Sequence, residues 1–289
     1  MRVGNRGTGY WALSAVLAIS SLTPAFAASA AAGRLYAERA AMLVADDRCH
    51  LFDSELSSAL AMGAYQARNT ALRGGISRLE LKDLTDLARS RGGTISCRDP
   101  LLLTEASRVR GAFSSFARLY KLNFPGTAAG WSADRQMLTT RVDEGRWALT
   151  TAPVRTAVPG ARFGVVARDG QLFLLAAGAA KATGPTPASV RLVLRDPSKA
   201  ADPYLPGKLN PAPRAFSKVI FASERRNAPD GGTGFRFSDN AIDALAVLDP
   251  REVVQLDFTF ATRNGDRISS AVYEVGDFAA AVSFLRMKR

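Results

Sequence analysis

The chain has 289 residues, of which 47% are hydrophobic, so it is long and apolar enough for one large domain or two small ones. Its formal net charge is +12, from 38 lysines and arginines against 26 acidic residues, and no run of basic residues concentrates that charge. Nucleic-acid-binding proteins place basic residues in a patch interleaved with aromatics, so the composition argues against a nucleic-acid partner. A diffuse positive charge instead favours contact with anionic material, or serves solubility alone.

The first 27 residues have the layout of a secretory signal peptide. Arg2 and Arg6 form the positive region, and residues 10–21 form an apolar stretch shorter than the ~20 residues that span a bilayer. A small-x-small cleavage site ends at Ala27, whereas an uncleaved membrane anchor is the alternative. We predict a signal peptide over 1–27, a periplasmic or secreted location, and no transmembrane segment after its removal. The mature charge is then 12 − 2 = +10.

The chain has two cysteines, Cys49 and Cys97, and an exported protein usually pairs them. Closing a loop of 97 − 49 = 48 residues stabilises the fold by roughly 4 kcal/mol in the chain-entropy model. Two unpaired thiols are the alternative. A metal site lacks ligands, because His50 is the single histidine and neither cysteine has a second one nearby. We therefore predict a Cys49–Cys97 disulfide, and no metal, cofactor or catalytic residue.

The region 28–126 is predicted to be a helical domain, stapled by the disulfide. The predicted helices cover residues 34–45, Cys49 to Gly74, Ser77 to Gly92 and Pro100 to Tyr120. A capping box begins the third helix, and proline at the first helical position begins the fourth. The second helix has small residues at four-residue steps, which let a partner helix approach closely. These residues are Ala59, Gly63, Ala67 and Ala71.

A linker is predicted over 127–145, followed by an antiparallel β domain with two short helices over 146–289. Predicted strands cover 146–149, 163–168, 171–176, 190–194, 216–222, 235–237, 253–260 and 268–275. Asp169-Gly170 and Asn264-Gly265 are two-residue hairpin signals, which imply antiparallel pairing. The predicted class is α+β, with the helical bundle followed by a β-sandwich-like domain and a C-terminal helix. The proline-rich segment 196–214 is too long for a mere connector, so it is either functional or mobile.

The end of the chain resembles a known family of exported alphaproteobacterial proteins, the invasion-associated locus B family. The resemblance covers about the last fifty residues, and Asp277 stands where that family tends to have glycine. The residues that carry it are Val275, Asp277, Phe278, Ala280, Ala281 and Leu285. The helical part resembles other exported proteins of similar bacteria. Both resemblances imply export, and neither implies a catalytic residue.

Few residues suggest chemistry. The nucleophile motif Gly-x-Ser-x-Gly is absent. The acidic pairs Asp46-Asp47 and Asp143-Glu144 are typical of helix ends and turns, although paired carboxylates can also hydrolyse glycans. Arg225 and Arg226 are candidates for contact with an anionic group, and the glycines at 231–234 are typical of a turn.

Two functions are consistent with these features. The first is an exported, non-catalytic envelope protein, a binding or assembly module whose partner is an anionic envelope component or another envelope protein. The alternative is a hydrolase that acts on cell-wall or surface polymers through carboxylates whose positions the sequence does not show. Acids that converge in a pocket would favour the hydrolase, whereas a shallow basic or apolar surface would favour the binding module.

Overall fold

The chain folds as helices packed on one long antiparallel sheet. The computed structural model describes residues 23–138, 146–169, 171–178, 186–207 and 209–287. Within these ranges it has six α-helices and 11 strands, and it contains the Cys49–Cys97 disulfide. The predicted α+β class, with disulfide-linked N-terminal helices and a C-terminal helix, is confirmed.

Four helices precede the sheet, one interrupts it and one ends it. They are α1 (Thr23–Cys49), α2 (Ser54–Arg73), α3 (Arg78–Thr94), α4 (Pro100–Phe113), α5 (Asn240–Ala246) and α6 (Phe278–Leu285). None of the helices in the described ranges has the length and apolar character of a bilayer span. Most of the predicted signal peptide lies outside the described residues, and α1 continues through the predicted cleavage position after Ala27.

Side-chain caps set the helix starts. Asp53, Ser77 and Asp99 each accept a hydrogen bond from a backbone N–H in the first turn of α2, α3 and α4. Cys49 therefore ends α1 rather than opening α2, which is a correction to the prediction. α3 also continues past Gly92, where a Cβ would lie 2.3 Å from the Ala41 carbonyl oxygen, so glycine lets α1 and α3 approach closely.

The strands follow in chain order, with α5 between β9 and β10. They are β1 (Lys121–Phe124), β2 (Trp131–Asp134), β3 (Arg146–Thr151), β4 (Arg155–Thr156), β5 (Arg162–Arg168), β6 (Gln171–Ala177), β7 (Ser189–Arg195), β8 (Ser217–Asn227), β9 (Thr233–Phe237), β10 (Val253–Thr262) and β11 (Gly265–Glu274). Their order in the sheet is β1-β2-β3-β5-β6-β9-β8-β7-β10-β11-β4. The two predicted hairpins are β5–β6 and β10–β11.

The sheet bends at β8, so that its two parts pack against each other. The first part of β8 pairs with β7 and the second part with β9, with a register shift between Ala222 and Glu224. Such irregularities let a strand pass from one sheet to another. We call β1, β2, β3, β5, β6 and β9 half A, and β7, β10, β11 and β4 half B. The halves face each other, because the rings of Phe163 on β5 and Tyr273 on β11 are 5.1 Å apart.

The predicted linker over 127–145 is wrong where the structure describes it. Residues 131–134 form β2, which pairs with β1 and β3, and Trp131 is buried in the core. The predicted fourth helix also ends early, at Phe113, and 121–124 is a strand. Both strands have four residues, which is too short for a clear alternation of apolar and polar side chains. Residues 139–145 lie outside the described part.

Helices and sheet share one core. A single hydrophobic cluster contains side chains of α2, α4, both halves of the sheet and α6. The predicted small-residue face of α2 is buried, and a Cβ on Gly63 would lie 2.7 Å from the Phe113 ring. The side chain of buried Asp277, before α6, accepts hydrogen bonds from Asn69 and Arg73 of α2 at 3.0 and 2.6 Å. The helical part is therefore joined to the sheet by both apolar packing and charge.

Candidate binding cleft

An open cleft lies on the outer face of half A, where β1, β2, β3 and β5 run side by side. Its volume is about 780 Å³. One aromatic side chain, Trp147, lines it together with six polar ones. The polar lining residues are Lys121, Asn123, Ser132, Asp134, Thr150 and Arg162.

A β-bulge places Trp147 in this cleft. The register between β3 and β5 shifts between Trp147 and Leu149, and both Ala148 and Leu149 are buried. The extra residue allows Trp147 to line the outer face while its two successors enter the core. Next to the bulge, glycine at 164 permits the close approach of β5 to β3, because a Cβ there would clash with the Leu149 carbonyl oxygen.

The polar groups of the cleft are partly paired with one another. Ser132 donates a hydrogen bond through Oγ to Oδ1 of Asn123 at 2.8 Å, which leaves the Asn123 amide N–H groups as the donors of this pair. Lys121 Nζ lies 3.1 Å from Asp134 Oδ2, with Lys121 69% exposed. Arg162 Nε lies 3.0 Å from an oxygen of Asp230, and Arg162 is 54% exposed. The acids are less exposed than the cations, at 18% for Asp134 and 22% for Asp230. A ligand anion can therefore approach either cation from the solvent side without displacing its acid.

The cleft combines an aromatic surface with hydroxyl, amide, ammonium, guanidinium and carboxylate groups, which suits a hydroxylated ligand. Asp134 is the one carboxylate among its described lining residues. Glycoside hydrolysis uses two carboxyl groups on either side of the scissile bond, and the described lining does not supply the second. The acidic pair Asp143-Glu144 lies outside the described residues. The described residues also contain no cluster of potential metal ligands.

The structure separates the two arginines that the sequence placed together. Neighbouring residues of a strand point to opposite faces of the sheet. Arg226 lies on the outer face of half A, with its guanidinium carbon 5.6 Å from the centroid of Phe173. Arg225 pairs in register with Phe235, a core residue, and so belongs to the other face. The two guanidinium groups do not form one site, and anion contact by either remains a prediction.

The other residues considered in the sequence are the two cysteines, His50 and Asp46. Cys49 and Cys97 form the predicted disulfide, with their Cα atoms 5.4 Å apart, which joins the end of α1 to the turn before α4. His50 is an exposed turn residue with φ of 51°. Asp46 is buried and accepts hydrogen bonds from Phe52 N and from the Ser57 hydroxyl.

The sequence did not reveal the cleft residues. Trp147 was predicted only as part of a strand, because a bulge leaves no mark in the sequence. Asn123 lies in the region 28–126 that is predicted to be a helical domain, and Ser132 lies in the predicted linker. Comparisons with protein-family models, curated proteins and solved structures found no match for this chain. The resemblance to the invasion-associated locus B family therefore stays a prediction.

Proposed function

We propose that the protein is an exported, non-catalytic envelope protein that binds an acidic polysaccharide in the cleft of half A. The observation that carries the proposal is the set of groups around Trp147. An indole face covers the apolar side of a sugar ring, and the Asn123, Ser132 and Thr150 side chains form hydrogen bonds to hydroxyl groups. Lys121 and Arg162 supply cations for a carboxylate.

The mixed charge of the cleft favours a polysaccharide over a polyphosphate. Asp134 lies among the cations, and its carboxylate would repel closely spaced phosphates. A sugar with one carboxylate instead offers hydroxyl groups to Asp134 and an anion to Lys121 or Arg162. The same argument makes nucleic acid a poor ligand, although its bases would also stack on Trp147.

Export is supported by two independent features. The first is the predicted signal peptide over 1–27. The second is the disulfide, because such bonds persist in oxidising compartments and are rare in the cytosol. In an envelope, the net charge of +10 that we predict for the mature chain would also raise the rate of encounter with anionic polymers, in a salt-dependent way.

Titration calorimetry with oligogalacturonides, at low salt, tests the proposal. We expect the wild-type protein to bind the hexasaccharide of galacturonic acid and not cellohexaose, a neutral hexasaccharide. Trp147→Ala should weaken binding at least tenfold, which corresponds to about 1.4 kcal/mol of binding free energy. Ile268→Ala is the matched control, since Ile268 is an exposed apolar residue of half B. Equal binding by both variants, or no binding by the wild type, would contradict the proposal.

The same samples test the hydrolase alternative. We expect no increase in reducing ends during prolonged incubation of wild-type protein with the hexasaccharide. Release of shorter fragments that is abolished by Asp134→Asn would replace the binding module with an enzyme whose acid or nucleophile is Asp134.

A further inference from the structure

A second aromatic and cationic feature lies on the same face of half A, outside the cleft. The guanidinium carbons of Arg226 and Arg236 lie 5.6 and 4.8 Å from the centroid of the Phe173 ring. Phe173 is only 4% exposed although it points away from the core between the halves. It packs with Val166, Leu175 and Trp147 in a small apolar cluster, and the two arginines stack on its ring. Such stacking holds a guanidinium group in one orientation.

The strand register joins this feature to the cleft. One row of directly paired residues crosses the outer face of half A from β1 to β9. The row consists of Asn123, Ser132, Thr150, Gly164, Leu175 and Arg236. Three strand spacings separate Thr150 in the cleft from Arg236, or about 14 Å at the usual distance between strands. In the next row Trp147 and Phe173 are both paired with Val166, one on each side.

Both guanidinium groups can accept a new anion. Arg226 Nε is buried, and although it lies 2.7 Å from Glu224 Oε1, it has no hydrogen-bond partner of good geometry among the described residues. Arg236 Nη2 lies 2.8 Å from Asp239 Oδ1, but that carboxylate is 84% exposed. Glu224 is itself 45% exposed, so a ligand carboxylate can replace Glu224 at Arg226, or Asp239 at Arg236, without breaking a fully buried ion pair.

We propose that the Arg226–Phe173–Arg236 stack is a second contact point for the same acidic polysaccharide, which runs across the strands from the cleft. This inference rests on the proposed function and adds the length and direction of the ligand. The planar guanidinium fork matches a carboxylate in a bidentate manner. A ligand that reaches both points spans about 14 Å across three strands. The site therefore selects oligosaccharides longer than a disaccharide.

Calorimetry with a di- and a hexasaccharide of galacturonic acid tests the inference. For the wild type we expect the hexasaccharide to bind at least tenfold more tightly than the disaccharide. Arg226→Met and Arg236→Met should remove most of that gain and leave disaccharide affinity unchanged, because the methionine stem still covers Phe173. Arg225→Met is the matched control: it removes the same charge from the neighbouring residue on the opposite face. It should leave the gain intact. If either methionine variant fails to fold, Arg226→Lys tests the same point, since lysine keeps the charge and loses the planar fork.

The outcomes separate the inference from the proposed function. Equal affinity of wild-type protein for both oligosaccharides, or an equal effect of Arg225→Met and Arg226→Met, would overturn the second contact point and leave the cleft as a binding site. Absence of binding to either oligosaccharide would remove both. Binding of a single-stranded thymidine oligonucleotide that depends on Arg226, with no binding of oligogalacturonide, would overturn the inference in favour of nucleic acid.

Discussion

The ion pairs on the outer sides of the two sheet halves differ in burial and in geometry. At half B, Arg195 and Glu252 form a bidentate pair at 2.6 and 3.0 Å, and both side chains are less than 5% exposed. At half A, Lys121 and Arg162 form single contacts with acids and are more than half exposed. A buried ion pair is costly to break and therefore maintains structure, whereas a cation that is more than half exposed can contact a ligand. On this comparison we expect half B to contribute more to stability, and we propose ligand binding for half A.

The proline-rich segment 196–214 contacts the buried ion pair of half B. Arg195 Nη1 donates a hydrogen bond to the Ala200 carbonyl oxygen at 2.6 Å, and Glu252 accepts one from the backbone N–H of Tyr204 at 3.2 Å. Lys199 donates to the Ser217 carbonyl oxygen on β8. The segment is thus attached to half B along its first part, with the Arg195–Glu252 pair as its centre.

Breaking that pair is expected to have the largest effect. Arg195→Met leaves the Glu252 carboxylate buried without its cation, so the free energy of unfolding should fall by about 3–5 kcal/mol. Denaturant unfolding measures the loss, and limited proteolysis should show earlier cleavage within 196–214. A second substitution, Glu252→Gln, added to Arg195→Met should recover part of the loss. A change below 1 kcal/mol in the free energy of unfolding of Arg195→Met would show that the pair contributes little to the stability of half B.

A smaller effect is expected from the acid next to this pair. Burial acts to raise the pKa of Asp249, but hydrogen bonds from Arg251 and the charges of Arg251 and Arg68 outweigh it, so the pKa lies below its usual value. The ionised carboxylate then contributes stability above the unfolded pKa, near 3.9, and this contribution is lost as the pH falls through the folded pKa. Asp249→Asn should flatten the acid limb of the stability–pH curve below about pH 5.

An unchanged acid limb in Asp249→Asn, measured by urea unfolding at several pH values, would contradict this assignment. Asp239→Asn is the control, because it removes a carboxylate that is 84% exposed at the outer side of half A.

A substitution at Tyr273, between the two halves, is expected to stabilise the protein. The Tyr273 hydroxyl is buried and has no hydrogen-bond partner among the described residues, and burial raises the pKa of the phenol. Tyr273→Phe removes the unpaired group and keeps the ring contact with Phe163, so unfolding should require about 1 kcal/mol more. Above the unfolded pKa, near 10, ionisation of Tyr273 in the unfolded chain lowers the stability of the wild type. Phenylalanine does not ionise, so Tyr273→Phe should lose less stability at high pH. Thermal unfolding at pH 7 and above pH 10 checks both; destabilisation by Tyr273→Phe would mean that the hydroxyl has a partner.

The smallest effect on stability is expected at half A. Arg162→Met breaks a single-contact ion pair whose cation is 54% exposed and whose acid, Asp230, is 22% exposed, so the free energy of unfolding should change by less than about 1 kcal/mol. The same variant should weaken binding of the acidic hexasaccharide. A loss of stability comparable to that of Arg195→Met would erase the difference between the two sides.

Sequence patterns predicted the parts of this molecule that depend on local signals. The capping box at Ser77, the proline that begins the fourth helix, the hairpins and the disulfide all follow from residues close in the chain or from the cysteine count. The strands β1 and β2 were missed because four residues give no periodicity, and their stability comes from pairing and from buried Trp131. The cleft depends on a bulge at Trp147 and on the sheet register, which brings Asn123, Thr150 and Arg236 into one row. Register is a property of the folded sheet, so no reading of local sequence could supply it.

Hydrogen-exchange mass spectrometry of the full chain, with and without a saturating acidic hexasaccharide, tests the central claim most directly. We expect slower exchange in peptides from 121–134, 146–151 and 233–237 of half A, and unchanged exchange in 253–274 of half B and in 196–214. Protection confined to half B or to the proline-rich segment, with none at the cleft, would contradict the assignment of ligand binding to half A.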